Sequence, residues 1–325
     1  MRALYLECSA GVSGDMLVGA LLDLGASQEA LKKAVDSIKA EGFSYKITRV
    51  KKAGIDCCDF AVLLDSEHEN HDHDMAYLHG LTEGQGEPAV PGHERFLEHY
   101  SHAAGGHGRA PGRSEGQLDA QPVSPCHAHQ QGFCLEHHHH PDKSHPSGKH
   151  HHAHQHRGIR DIAAILDAAQ MSEKSRATAF KIFDILAEAE AKAHAVTKEE
   201  VHFHEVGAVD SIVDVVAIAV CLDSLSFDEV IVTGMSEGTG LIRCQHGVLP
   251  VPVPATLNIA QKYGIKLRPL GVLGEFVTPT GAAAVAAART QDKLPEEFKI
   301  LAVGLGAGKR QYAVASILRA MLIEN

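Results

Sequence analysis

His137, His138, His139 and His140 stand in one unbroken run, and His150, His151 and His152 open a second cluster that continues to His154 and His156. Neutral imidazole suits nickel, copper and zinc, and ligand type alone does not choose among them. Cys126-His127-Ala128-His129 adds a thiol to the same stretch. Of the 24 His in the chain, 20 lie between His68 and His156, dispersed among Asp, Gly and Pro in a way that no purification tag would be. Imidazoles without fixed geometry store metal rather than position a reacting group, so metal buffering is the expected role.

A second constellation, His202-Phe203-His204-Glu205, reads as a strand. Alternation puts His202 and His204 on one face, about 7 Å apart, with Val201, Phe203 and Glu205 on the other. Two imidazoles on a rigid face share a metal or grip an anionic substrate. Asp210 and Asp214 follow and offer carboxylates, although Ser211 and Asp214 also fit a helix capping box.

The third is Gly11-Val12-Ser13-Gly14-Asp15, between a strand and a helix, where backbone N–H groups favour an anion. It fails the hydrolase-elbow spacing, because Gly14 follows Ser13 directly. Thr278-Pro279-Thr280-Gly281 places two hydroxyls at another helix start. Gly304-Leu305-Gly306-Ala307-Gly308-Lys309-Arg310 has Arg310 where a phosphate loop needs Ser or Thr, so it reads as a flexible glycine turn carrying basic residues. Cys57 and Cys58 are vicinal and read as buried thiols.

The elements that must hold these groups follow from periodicity. Residues 2–6 read as a strand, and Met16, Leu17, Ala20, Leu21 and Leu24 as a helix closed by Gly25. A second helix runs from Ser27 towards Gly42, and strands cover 43–47 and 59–64. After the histidine-rich stretch, helices are expected at 159–166 and 175–195, and Thr197 with Glu200 suggests a capping box. Residues 211–222 are apolar almost all round and predict a deeply buried helix. Strands are expected at 201–206, 229–233, 275–277 and 315–323, and helices begin at Pro254 and after Thr278. The fold class is α/β, with mixed α+β as the alternative. Three segments are expected: 1–65, a histidine-rich insertion at 66–156 that is disordered without metal, and 157–325 packing with the first.

The 325 residues carry a formal net charge of −11, which argues against a nucleic-acid partner held by a basic surface. The N-terminus does not read as a signal peptide, and no apolar run reaches membrane-spanning length. Seven Cys, an odd number, point to free thiols and a cytoplasmic location.

Several of these motifs together resemble the nickel-insertion family of nickel-pincer cofactor biosynthesis. They are Leu4-Tyr5-Leu6-Glu7-Cys8 with the following glycine turn, the run from Val201 to Asp214, Arg243-Cys244-Gln245-His246-Gly247, Pro250 to Thr256, and Gly274 to Gly281. The resemblance implies a nickel chelatase, or cyclometallase, of the lyase class. It would insert nickel into pyridinium-3,5-bisthiocarboxylic acid mononucleotide, using CTP with a divalent cation, to make the pincer cofactor of lactate racemase and its relatives. The resemblance identifies the motifs and not their roles; for that reaction His202 and His204 are expected to hold nickel or substrate, Glu205 or Asp210 to assist, and Gly11, Ser13, Gly14 and Thr280 to face phosphate. Relatives continue into a further C-terminal domain, so a companion domain or chain is an expected partner, as is a second copy. A non-enzymatic nickel or zinc store or metallochaperone is the competing reading, and a nucleotide-dependent phosphotransferase is a weaker third.

Overall fold

The computed structural model describes residues 1–65, 157–203, 208–244 and 246–325, with His202 described by its backbone alone. All of them belong to one compact unit assembled from both flanks of the histidine-rich insertion.

The chain enters through β1 (Arg2–Glu7), in which Ala3, Leu4, Tyr5 and Leu6 are all buried, so both faces of the strand are covered. β2 (Phe43–Lys52) and β3 (Ile55–Leu64) pair antiparallel through Ala53 and Gly54. Both turn residues have positive φ, as the tight hairpin turn that matches strand twist requires. β4 (Arg157–Gly158) pairs antiparallel with β5 (His202–Phe203). β6 (Glu229–Ile231) runs parallel to β1. β7 (Met235–Thr239) is followed by the hairpin of β8 (Leu241–Cys244) and β9 (Gly247–Pro250), and pairs parallel with β10 (Leu267–Leu273). β11 (Lys299–Ala307) and β12 (Ile317–Glu324) pair antiparallel. The main sheet has the order β2-β3-β11-β12-β1-β6, with parallel and antiparallel neighbours mixed. The architecture is therefore a mixed α/β one.

Helices pack on this sheet. α1 (Gly14–Leu24) ends at Gly25, whose φ of +112° lets its N–H reach the Leu21 and Leu22 carbonyls. α2 (Gln28–Asp36) is capped by Ser27, which accepts from the Ala30 N–H. α3 (Ile159–Ala168) and α4 (Glu173–His194) follow, and Thr197 and Glu200 form the expected capping box of a short 3-10 turn. α5 (Val209–Ser224) is the buried helix, with Ile212, Val213, Val216 and Ile218 fully enclosed. Each such side chain contributes about 1.5–3 kcal/mol by leaving water. α6 (Pro254–Tyr263) and α7 (Pro279–Ala288) both start with Pro in the first turn. Among the described residues, no helix is long and apolar enough to cross a membrane.

The expected glycine turn at 304–310 is corrected by the structure, because Gly304 and Gly306 lie within β11. There they form the seat of α1. A Cβ on Gly306 would stand 1.9 Å from the Met16 carbonyl oxygen, and one on Gly304 would stand 2.1 Å from that of Ala20. From the helix side, a Cβ on Gly19 would lie 3.3 Å from the Gly306 Cα. Helix and strand thus touch backbone to backbone. Asp23 strengthens the seam by accepting from the Leu305 N–H at 2.8 Å.

Other boundaries also moved. α2 stops at Asp36, where the Ser37 hydroxyl donates to the Ala34 carbonyl, well before Gly42. α5 begins at Val209, ahead of Ser211, so Ser211 and Asp214 lie inside the helix and form no capping box. Residues 275–277 make only the isolated bridge Val12–Val277. Cys57 and Cys58 are buried free thiols, as expected.

The seam generates a prediction. Gly306→Ala lowers unfolding stability by about 3 kcal/mol, because the added methyl meets immobile backbone rather than a side chain that can turn away. The urea midpoint of the variant checks it.

Candidate active site

Among the described helices, four begin at one cleft of about 730 Å³. α1 brings Ser13, Gly14 and Asp15, and α5 brings Asp210 and Asp214. α6 contributes Pro254 and Ala255, and α7 contributes Pro279 and Thr280. The end of β3, the last turn of α4, the β8–β9 hairpin and the residues after β11 complete the walls.

Two carboxylates meet on the cleft floor. A Cβ on Gly14 would lie 2.3 Å from Asp214 Oδ2, so glycine is what admits that carboxylate to the start of α1. The Asp15 backbone N–H donates to Asp214. Asp15 Oδ1 accepts from the Met16 N–H at 2.8 Å and from the Ser13 hydroxyl. Asp210 adds a third negative group beside Asp214. Lys309 is the counter-charge: its Nζ lies 4.0 Å from Asp15 Oδ2 and is ion-paired with Asp59.

Asp214 Oδ1 is closed off from solvent and accepts no hydrogen bond. Burial holds the Asp214 carboxyl protonated well above the ordinary carboxylate range. The charges of Asp15 and Asp210 push it further up, and Lys309 opposes them. Asp15 is shifted upward as well, first by burial, with the Ser13 hydroxyl and Lys309 restraining the shift. Neighbouring carboxylates resist ionising together, so such a group keeps a proton longer and, once ionised, is a stronger base.

A further carboxylate, behind the lining, braces the wall that leads into α7. Glu237, almost fully buried, accepts at Oε1 from the N–H groups of Gly238, Phe276 and Val277 at 2.8, 2.7 and 3.1 Å. Burial raises its pKa to about 7, against the lowering effect of those N–H donors. The brace sets the entry to α7, where Thr278 Oγ1 accepts from the Gly281 N–H. Arg310 Nη1 lies 3.4 Å from Glu275 Oε2, and the Tyr312 ring stacks on Phe276 at 4.2 Å between centroids. The α6 N-terminus has no side-chain cap. Its N–H groups, together with Arg310, form the part of the wall suited to an anion.

Of the residues expected to act, Ser13, Gly14, Asp210 and Thr280 come together in this cleft. Gly11 stands apart from its lining. Its φ is +87°, and a Cβ there would meet the Phe276 carbonyl oxygen at 2.1 Å, so it spaces the turn that lets Val12 N–H donate to that oxygen. Asp214 fills the space in front of Gly14, where a Cβ would meet its Oδ2 at 2.3 Å. The His202 backbone pairs with Gly158. His204, Glu205, His137 to His140 and His150 to His152 lie outside the described residues. Sequence reasoning assigned no role to Asp15 or Glu237, and read Lys309 and Arg310 only as basic residues of a glycine turn. A Glu in an otherwise small and apolar run, Met235-Ser236-Glu237-Gly238, was the available signal for one of them.

A family model described as "Nickel insertion protein" matches residues 4–325. The chain is 42% identical over 322 residues to the pyridinium-3,5-bisthiocarboxylic acid mononucleotide nickel insertion protein of Alkaliphilus metalliredigens, covering 99% of this chain and 60% of that protein. It is 34% identical to the like-named protein of Akkermansia muciniphila, covering 100% and 61%. The figures for that of Acetivibrio thermocellus are 31% identity, 99% and 60%. The chain thus spans about 60% of the length of these curated relatives. No solved structure matches it.

The carboxylate cluster has a stability signature. A raised Asp pKa means the folded state holds its proton after the unfolded state has lost it. Stability therefore falls as pH rises from the ordinary value of about 3.9 through the raised one. Asn cannot ionise, so Asp214→Asn escapes the loss. Its melting temperature exceeds wild type by at least about 2 °C at pH 8 and converges on wild type at pH 4. A thermal scan at both pH values reads the difference, and a deficit at pH 8 contradicts the assignment.

Proposed function

The chain belongs to the nickel insertion protein family, and from that premise we propose that it inserts nickel into pyridinium-3,5-bisthiocarboxylic acid mononucleotide, acting as a cyclometallase of the lyase class. The observation that carries the proposal is the desolvated Asp214, held against the start of α1 with one oxygen unpartnered. Forming a nickel–carbon bond on the pyridinium ring releases the ring proton. A base must accept that proton at the position where the metal enters. Asp214 takes it in its ionised form, Asp15 and Asp210 raise its basicity, and Lys309 keeps the cluster from repelling itself apart.

Nickel itself is the cargo. The two thiocarboxylate sulfurs of the precursor supply soft ligands, and the new carbon bond completes the pincer. His202 and His204 are proposed to hold nickel or precursor, with Glu205 beside them. The precursor's phosphate is assigned to the uncapped α6 start, Thr280 and Arg310. A phosphate of CTP, with its divalent cation, would fit the same wall. Omitting CTP from the assay separates the two nucleotides. The histidine-rich insertion supplies the metal. It leaves the described fold directly after Leu64 and Asp65, and Leu64 lines the cleft. The storage or metallochaperone reading explains the insertion alone and leaves a paired carboxylate floor without a task.

Two measurements follow. In one, the chain is supplemented with the segment of the Alkaliphilus metalliredigens relative that it does not cover, then given precursor, nickel and CTP. Mass spectrometry of the product shows Asp214→Asn at least about 100-fold slower, with the precursor KM little changed. A wild-type rate in this variant overturns the proposal. In the other, removing residues 67–155 lowers nickel bound per chain yet leaves the rate intact at excess nickel. Loss of all activity there would place chemistry in the insertion.

A further inference from the structure

Away from the carboxylate floor, the same cleft carries a second set of donors. Cys244, at the end of β8, and His246, just beyond it in the hairpin, place Sγ and Nδ1 3.9 Å apart. Across from them, the His194 ring lies against that of His246, with centroids 4.9 Å apart and planes 37° from parallel. All three side chains line the cleft. From the geometry we infer a metal-receiving site made of Cys244, His246 and His194, which takes a borderline-soft divalent cation before it reaches the floor.

Three physical arguments support the assignment. A single cation with a sulfur ligand at about 2.3 Å and a nitrogen ligand at about 2.0 Å holds them about 3.5 Å apart in a tetrahedron. Cys244 and His246 therefore need only a few tenths of an ångström of closure. His194 sits in the last turn of α4, where the unpaired carbonyls and the helix dipole favour positive charge. Its Nε2 lies 3.6 Å from Glu190 Oε2, one turn earlier. A carboxylate on the far ring nitrogen is the usual orienting partner of a ligating imidazole.

Among the described residues, no three His, Cys, Asp or Glu side chains already converge on a common point. The site closes on its cation as the His194 and His246 rings turn, and the Cys244 thiol gives its proton to solvent as the sulfur–metal bond forms. Thiolate and imidazole select nickel or zinc over magnesium. Naming nickel as the natural cargo rests on the insertion function proposed above, whereas the donor set stands on geometry alone.

The test reads Cys244 itself, since the histidine-rich insertion binds metal too. The full chain is treated with a thiol-alkylating reagent in nickel(II) or magnesium(II), with no precursor present, and modification is followed peptide by peptide. Nickel slows alkylation of Cys244 at least about tenfold relative to magnesium, and His246→Ala and His194→Ala lose that protection. Glu190→Gln weakens it, requiring more nickel for the same effect. Equal alkylation in the two metals, or undiminished protection in both His variants, overturns the site. Asp214→Asn retains full protection of Cys244. A failure of the insertion reading would show in product formation and leave this readout untouched.

Discussion

The contact between α1 and β11 is the constraint on which the rest depends. Gly19 on the helix and Gly304 and Gly306 on the strand allow backbone to lie on backbone, with no side chain between them. That seat sets the height of the α1 start above the sheet. The start, in turn, places Gly14 and Asp15 opposite Asp214 on the buried helix α5. Lifting α1 by the thickness of one methyl group would part the two carboxylates and open the space between them to water. The packing seam and the chemistry at its end are therefore one feature.

Around this seat the protein carries tension. Three carboxyl groups share a floor, with Lys309 as the nearby cation and Asp59 competing for it. Such an arrangement destabilises the fold at neutral pH and is suited to the proton uptake proposed above. The compensation is structural. α5 is enclosed by apolar neighbours along most of its length. Glu237, with three backbone N–H donors, holds the facing loop so that the walls do not relax inward.

Much of this was legible in the residues, for identifiable reasons. The strand–turn–helix at the N-terminus, the Gly25 stop, the Thr197–Glu200 box and the buried α5 are all local patterns, and local patterns survive folding. The glycine-rich segment 304–310 read as a turn because glycine disfavours strands in isolation. Its true reason, the approach of α1 from nearly 300 residues earlier in the sequence, is non-local. Asp214 read either as a carboxylate for the His202–His204 site or as a cap for its own helix, whereas it faces the start of another helix. β7 and β10 form a short parallel pair outside the main sheet, and their mixed polarity gave no alternation to follow. Cys244 and His246 were visible as a motif, but their pairing with His194 depends on the last turn of α4 meeting the β8–β9 hairpin.

The central claim is that the cleft floor holds an aspartate whose carboxyl ionises far above its usual range because Asp15 and Asp210 crowd a desolvated Asp214. Carbon-13 NMR of the chain labelled at the aspartate side-chain carboxyl carbons, titrated from acid to alkaline pH, measures it most directly. The account predicts at least one carboxyl carbon that titrates well above the ordinary value of about 3.9, and whose high-pH transition disappears in Asp214→Asn. If every aspartate carboxyl in the wild-type chain titrates at or below the ordinary value, the floor is fully ionised at neutral pH and the account is wrong.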